Sequence, residues 1–208
     1  MALPKLNTPS YELEIPSTDE KIMYRPFLVK EEKILLIALE SAKNEEIIRA
    51  MKEIVSECTF NKLDISNLPM FDIEYIFLNI RAKSVGEVSK LKIKCPDDGK
   101  TLAPVEIDLN KVNVEIGEGH TNKIELEEGT GIIMQYPTID SFSKLGLTNI
   151  TARNMTDIVA ACILQIYEKN GEKVYNAKDQ TIKELSDFVE QMNTAQFKKV
   201  QNFFDTMP

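Results

Sequence analysis

The sequence predicts an α+β fold: helical layers around a buried N-terminal helix, with a small antiparallel β module inserted between helical stretches. Three observations point that way. The run Ile34–Leu39 is apolar at every position, and a helix without a polar face has to be enclosed by other elements. Beyond it, apolar residues recur at helical spacing from Ile47 to Ile80. Between residues 86 and 136 the period drops to two, the mark of strands with one buried and one wet face. On this reading residues 1–208 form one domain with four parts. They are an N-terminal hairpin or arm (1–30), a helical part (31–85), the β module (86–136) and C-terminal helices (137–208).

At the N-terminus Tyr11, Leu13 and Ile15 alternate with Glu12 and Glu14, as in a strand. Ser17-Thr18-Asp19-Glu20 carries turn chemistry, so residues 22–29 are expected to return as the partner strand. Pro26 keeps Arg25 out of the α region. Helix therefore starts later, with Glu31 and Glu32 complementing its positive end. Asn44 reads as the N-cap of a second helix whose apolar face is Ile47, Ile48, Met51, Ile54, Val55 and Cys58. A third helix begins near Pro69, with Ile73, Ile76, Phe77 and Ile80 inward and Asp72, Glu74 and Arg81 pointing away.

In the β module Leu91, Ile93 and Cys95 alternate with Lys90, Lys92 and Lys94. Past Pro96-Asp97-Asp98-Gly99, Val105, Ile107 and Leu109 alternate with Glu106 and Asp108. A basic face opposite an acidic one predicts that these two strands pair. Val112, Val114 and Ile116 alternate again, and Ile124, Leu126 and Ile132–Met134 flank a turn at Glu128-Gly129. Helices return after Pro137. Asn154 caps one that carries Met155, Ile158, Val159, Cys162 and Ile166 and stops near Gly171. Val174-Tyr175 reads as an isolated strand, and Thr181 with Glu184 as a capping box ahead of Leu185, Phe188, Val189 and Met192. A last helix from about Thr194 puts Phe197, Val200 and Phe204 on one face and leaves Phe203 and Met207 off it.

Charge and composition exclude several functions. With 33 acidic against 25 basic residues the net charge is -8, unsuited to binding duplex phosphates or an anionic bilayer. No apolar run approaches the roughly 20 residues of a membrane span. The N-terminal residues lack a basic stretch followed by an apolar one, so no secretion signal is expected. Cys58, Cys95 and Cys162 are scattered and read as free thiols of a reducing compartment.

The search for chemistry finds no catalytic residue, cofactor site or metal set. His120 lies in a polar loop, Gly117–Asn122, without a nucleophile beside it, and reads as a solvated histidine. The neighbouring glycines lack a phosphate-loop spacing, and the carboxylate pairs Glu31-Glu32 and Glu127-Glu128 read as charged surface. Cys95-Pro96-Asp97-Asp98-Gly99 is like a zinc knuckle, with Asp98 standing where a second cysteine belongs. Without a ligand set, it reads as a turn in which Gly99 takes positive φ. The stripe Lys90, Lys92, Lys94 and Lys100 is either a solvated face or a contact for an acidic partner. The ending Phe203–Pro208 either packs on the core or forms an exposed apolar anchor.

Several stretches together resemble the baseplate hub assembly proteins of T-even-type contractile-tailed phages. They are Leu3-Pro4-Lys5-Leu6-Asn7, Tyr24-Arg25-Pro26-Phe27-Leu28-Val29-Lys30-Glu31-Glu32-Lys33, Ile80-Arg81-Ala82-Lys83-Ser84-Val85-Gly86-Glu87, the Cys95-Pro96 turn, and the Phe203–Pro208 ending. The resemblance implies a non-enzymatic chaperone that binds other hub and tail proteins in the host cytoplasm. The alternative is a permanent subunit of the baseplate, and weaker readings are a nucleic-acid module descended from a zinc knuckle and a wall hydrolase. The contact face expected for the hub is Tyr24, Arg25, Phe27 and Lys30 together with Phe203, Phe204 and Met207.

Overall fold

The N-terminal alternation becomes a hairpin of β1 (Tyr11–Glu14) and β2 (Lys21–Tyr24), in register Tyr11 opposite Tyr24. Its turn is closed by Asp19 at positive φ, and it buries Ile15, Ile22 and Tyr24. Those residues belong to a computed structural model that describes residues 6–139, 141, 154–168 and 172–208. Leu3-Pro4-Lys5 of the opening motif and the helix stop expected at Gly171 lie outside the described residues. The described chain carries six α-helices and three antiparallel sheets, and divides into two compact units. One unit holds residues 6–65 and 71–114, the other 66–70 and the described part of 115–208.

In the first unit the hairpin is followed by α1 (Val29–Ser41), α2 (Asn44–Cys58) and α3 (Met70–Val85). The fully buried apolar side chains of α2 and α3 are among those expected from helical spacing: Ile54, Val55 and Cys58 on one, Ile73, Ile76 and Ile80 on the other. Lys43 occupies the N-cap of α2 and Asn44 is its first residue, so the helix begins one residue earlier than expected.

The buried N-terminal helix is not found. In α1 only Glu31 and Ala38 are buried, while Leu36, Ile37 and Leu39 are each more than half exposed. At 100° per residue, Glu31 and Ala38 share one side, and Val29, Leu36, Ile37 and Leu39 spread over the other. The helix packs against α2 along the first side, and the core is closed by side chains of β2, α2 and α3. Asp72 also departs from expectation. It is fully buried, because the backbone N–H and hydroxyl of Ser17 both donate to its carboxylate. Arg81 is half-buried rather than turned to water.

Residues 86–136 do not form one β module. β3 (Val88–Lys94) and β4 (Leu102–Asp108) pair as a two-stranded sheet in the first unit. Lys90 faces Glu106 across it, 2.9 Å apart. Gly99 takes the expected positive φ in the turn. The alternation at Val112, Val114 and Ile116 forms no strand; a short 3-10 turn at Leu109–Lys111 leads into extended chain. Alternation marks one face as apolar, but a strand also needs a neighbour to accept its ladder.

In the second unit β5 (Lys123–Glu127) and β6 (Thr130–Met134) continue through β7 (Ile163–Glu168) and β8 (Lys173–Asn176) as one antiparallel sheet, ordered β5-β6-β7-β8. The helix expected to run from Met155 through Ile166 therefore ends early. It is α4 (Met155–Ala161), with Cys162 at its C-cap and Ile166 opposite Ile132 in the sheet. Ile163, Ile166 and Tyr167 favour a strand once β6 offers an edge. Val174 and Tyr175 are not isolated, since they pair with Tyr167 and Ile166.

Two helices complete the unit. α5 (Ile182–Glu190) opens with the expected box, Thr181 N–H donating to Glu184 at 2.8 Å and Glu184 N–H to Thr181 at 3.2 Å. α6 (Thr194–Thr206) has a second box between Asn193 and Gln196. Its Val200 and Phe203 join Ile132, Met134, Ile163 and Leu185 in the core.

Candidate functional site

The segment Tyr24–Glu31 is a joint. Tyr24 is 2% exposed and stacks obliquely on Tyr11, and burial raises its phenol above the ordinary value. Arg25 donates its backbone N–H to the Cys58 carbonyl at the end of α2 (2.9 Å). Its guanidinium donates to Glu31 Oε1 (2.7 Å) and to the Pro26 carbonyl (3.0 Å). The second Glu31 oxygen accepts the Leu28 N–H at the start of α1 (2.8 Å). Phe27 donates its N–H to Ser84 Oγ on α3 (2.9 Å).

Burial alone would raise the Glu31 pKa. The bonds from Arg25, the Leu28 N–H and Lys30 outweigh it and hold the carboxyl below its ordinary value. Arg25 and Glu31 thus tie the entry of α1 to the exit of α2. Lys30 alone of the four candidates here is open to solvent, bridging Glu31 (3.2 Å) and Glu57 (3.0 Å).

The C-terminal candidates separate. Phe203 is 1% exposed and packs on Tyr136, His120 and Phe204, with ring centroids 5.1–5.7 Å apart. It belongs to the core, not to an exposed anchor. Phe204 and Met207 are half-buried and keep some access to water.

His120, expected to be solvated, is instead held at both nitrogens. Nδ1 lies 2.9 Å from Thr206 Oγ1 and Nε2 3.0 Å from the Tyr136 hydroxyl, and the ring stacks on Tyr136 at 12°. Desolvation lowers its pKa below the ordinary value. Gly117 brings this loop against α6 by donating its N–H to the Thr206 carbonyl at 3.0 Å. A Cβ at residue 117 would lie 2.8 Å from that oxygen, too close for any other residue without movement.

At the β3–β4 turn Asp98 accepts the backbone N–H groups of Lys100 (2.8 Å) and Thr101 (2.9 Å) and the Thr101 hydroxyl. The carboxyl is pulled down to about 2 by these bonds, the hydroxyl first. Asp98 is thus the internal cap of its own turn. Among the described residues no cluster of three or more His, Cys, Asp or Glu side chains is placed to hold a metal ion. No described helix is long and apolar enough to cross a membrane.

The surface that sequence reasoning missed is on α1. Val29 is 80% exposed and Leu36, Ile37 and Leu39 more than half, over about three turns of one helix. Their continuity with the apolar run was visible, but that run was equally consistent with burial on all sides. Exposed apolar groups on one side of a helix make α1 a candidate surface for contact with another protein.

A family model described as T4 bacteriophage base plate protein matches residues 8–208 of the chain. No curated protein and no solved structure matches it.

Proposed function

The chain belongs to the T4 bacteriophage base plate protein family, and from that premise we propose that it is a non-enzymatic assembly factor. It binds components of the central hub in the host cytoplasm while the baseplate is built. The observation that carries this reading is the apolar face of α1, an uncovered surface of the kind that another protein buries. Lys30, next to that face, supplies a charged rim through its pairs with Glu31 and Glu57. Phe204 and Met207 offer a smaller contact patch in the second unit.

Co-expression with baseplate hub and tail proteins, followed by affinity capture, tests the proposal. A variant with Leu36, Ile37 and Leu39 changed to serine should keep its fold, since exposed positions away from buried networks shift stability by only about 0.5 kcal/mol each. It should lose capture of the partner. Capture unchanged by that variant would remove α1 from the binding face, and the same assay with the half-buried Phe204 and Met207 changed to serine weighs the second patch. The family description favours one second reading, a permanent subunit of the baseplate. A stoichiometric band of this chain in purified tails would establish that reading over the chaperone.

A further inference from the structure

We propose that the outer edge of β3 takes up an extended acidic segment of a partner protein as a third strand beside the β3–β4 hairpin. This goes beyond the α1 reading, uses a different surface, and does not depend on which hub protein α1 binds.

The register sets which backbone groups are free. Cys95 N–H donates to the Thr101 carbonyl (2.7 Å) at one end of the hairpin and Leu109 N–H to the Glu87 carbonyl (2.7 Å) at the other. Bonded and non-bonded pairs alternate along an antiparallel ladder. Val88, Lys90, Lys92 and Lys94, opposite Asp108, Glu106, Pro104 and Leu102, are therefore the non-bonded pairs. Their N–H and C=O groups point away from the partner strand, toward the two outer edges. On β4 that edge is interrupted, because Pro104 has no N–H to offer. On β3 it is unbroken over all four residues, and no described strand lies against it.

Side chains define what fits. The residues that present the free backbone of β3 also put three lysines on one face of the hairpin. Lys90 is paired with Glu106. Lys92 and Lys94 face Pro104 and Leu102, so neither has an acidic neighbour across the ladder. The opposite face is apolar: Leu91 and Ile93, 44% and 48% exposed, sit opposite Val105 and Ala103. A strand added along β3 meets lysines on one side and aliphatic groups on the other, so the complement is a segment alternating Glu or Asp with Val, Ile or Leu. The same lysines oppose a second copy of this chain, since β3 against β3 would set like charges together.

The test uses the full chain, 15N-labelled, and a capped peptide of alternating glutamate and valine at low salt. The expected result is binding that protects the amide protons of Lys90, Lys92 and Lys94 from exchange. The doubly reversed variant K92E/K94E should weaken it roughly tenfold. A second variant, Lys92→Pro, removes one outward N–H but no inner ladder bond, and should also abolish the protection while cross-strand contacts between Leu91 and Val105 persist. The proposal is overturned by no binding, by equal binding of an alternating lysine and valine peptide, or by binding that Lys92→Pro leaves intact. In any of those cases the lysines only keep the edge from aggregating.

Discussion

Arg25 Nη2 lies 2.7 Å from Glu31 Oε1, in a chain where Glu31 has no solvent exposure and also accepts the Leu28 N–H. A buried carboxylate is tolerated only when its charge and lone pairs are met. Arg25 and Leu28 do that six and three residues away, so the turn into α1 and its first helical turn stand or fall together.

Arg25→Ala should therefore cost about 1.5–3 kcal/mol at pH 7, because it leaves the buried Glu31 charge with only the Leu28 N–H and the solvent-exposed Lys30 amine. Urea denaturation measures it. A loss near zero would mean that the ion pair is a surface contact.

The pH dependence has a definite sign. Glu31 has its folded pKa depressed, so its contribution is present above the unfolded value of about 4.3 and disappears as pH falls through the folded one. Wild type should lose stability below about pH 4, and Glu31→Gln, weaker at pH 7, should show a shallower acid slope. Equal slopes in urea melts from neutral to acid pH would refute this.

Phe203→Ala should destabilise by about 3–5 kcal/mol, as expected for an aromatic ring deleted from a packed core. Phe204→Ala, acting on a half-buried ring, should cost distinctly less. Thermal unfolding of the two variants separates a core residue from an exposed anchor, for which Phe203→Ala would be nearly silent.

The Thr206 hydroxyl donates to the Asn202 carbonyl at 2.6 Å, so it accepts from His120. Nδ1 must carry the proton, and Nε2 accepts from Tyr136. Since the chain has a single histidine, its 15N spectrum should report the Nδ1–H tautomer directly. The lowered pKa means that His120 favours folding while neutral. Its contribution is full above the unfolded value of about 6.5 and shrinks as pH falls. His120→Ala should flatten stability against pH just below that value.

Thiol reactivity should be selective. Burial pushes Cys58 up to about 11 and Cys162 up to about 12, and neither is exposed, so neither forms thiolate at neutral pH. Mass spectrometry after brief alkylation of the native protein should find the label on Cys95 alone. Modification of Cys162 without denaturant would show that the core of the second unit opens.

What a reader recovers from the sequence is whatever neighbouring positions settle among themselves. Thr181 and Glu184 find each other because three residues of helix bring them together, and Lys90 meets Glu106 because the Asp98-Gly99 turn sets the register. The inward faces of α2 and α3 follow from spacing for the same reason. The candidate site was less legible. Arg25, Phe27 and Lys30 were visible as a block, but their ties run to Cys58, Ser84 and Glu57, far along the chain.

The sequence by itself determined the mixed α and β character of the chain, the N-terminal hairpin, the capping box that opens α5, and the apolar sides of α2 and α3. Only the tertiary structure decided which apolar surfaces are covered. Periodicity says which residues share a face, while burial depends on a partner brought from elsewhere. Hence Leu36 and Ile37 lie open although their immediate sequence neighbours are apolar, Phe203 and Asp72 are enclosed, and β6 joins a strand more than 25 residues downstream.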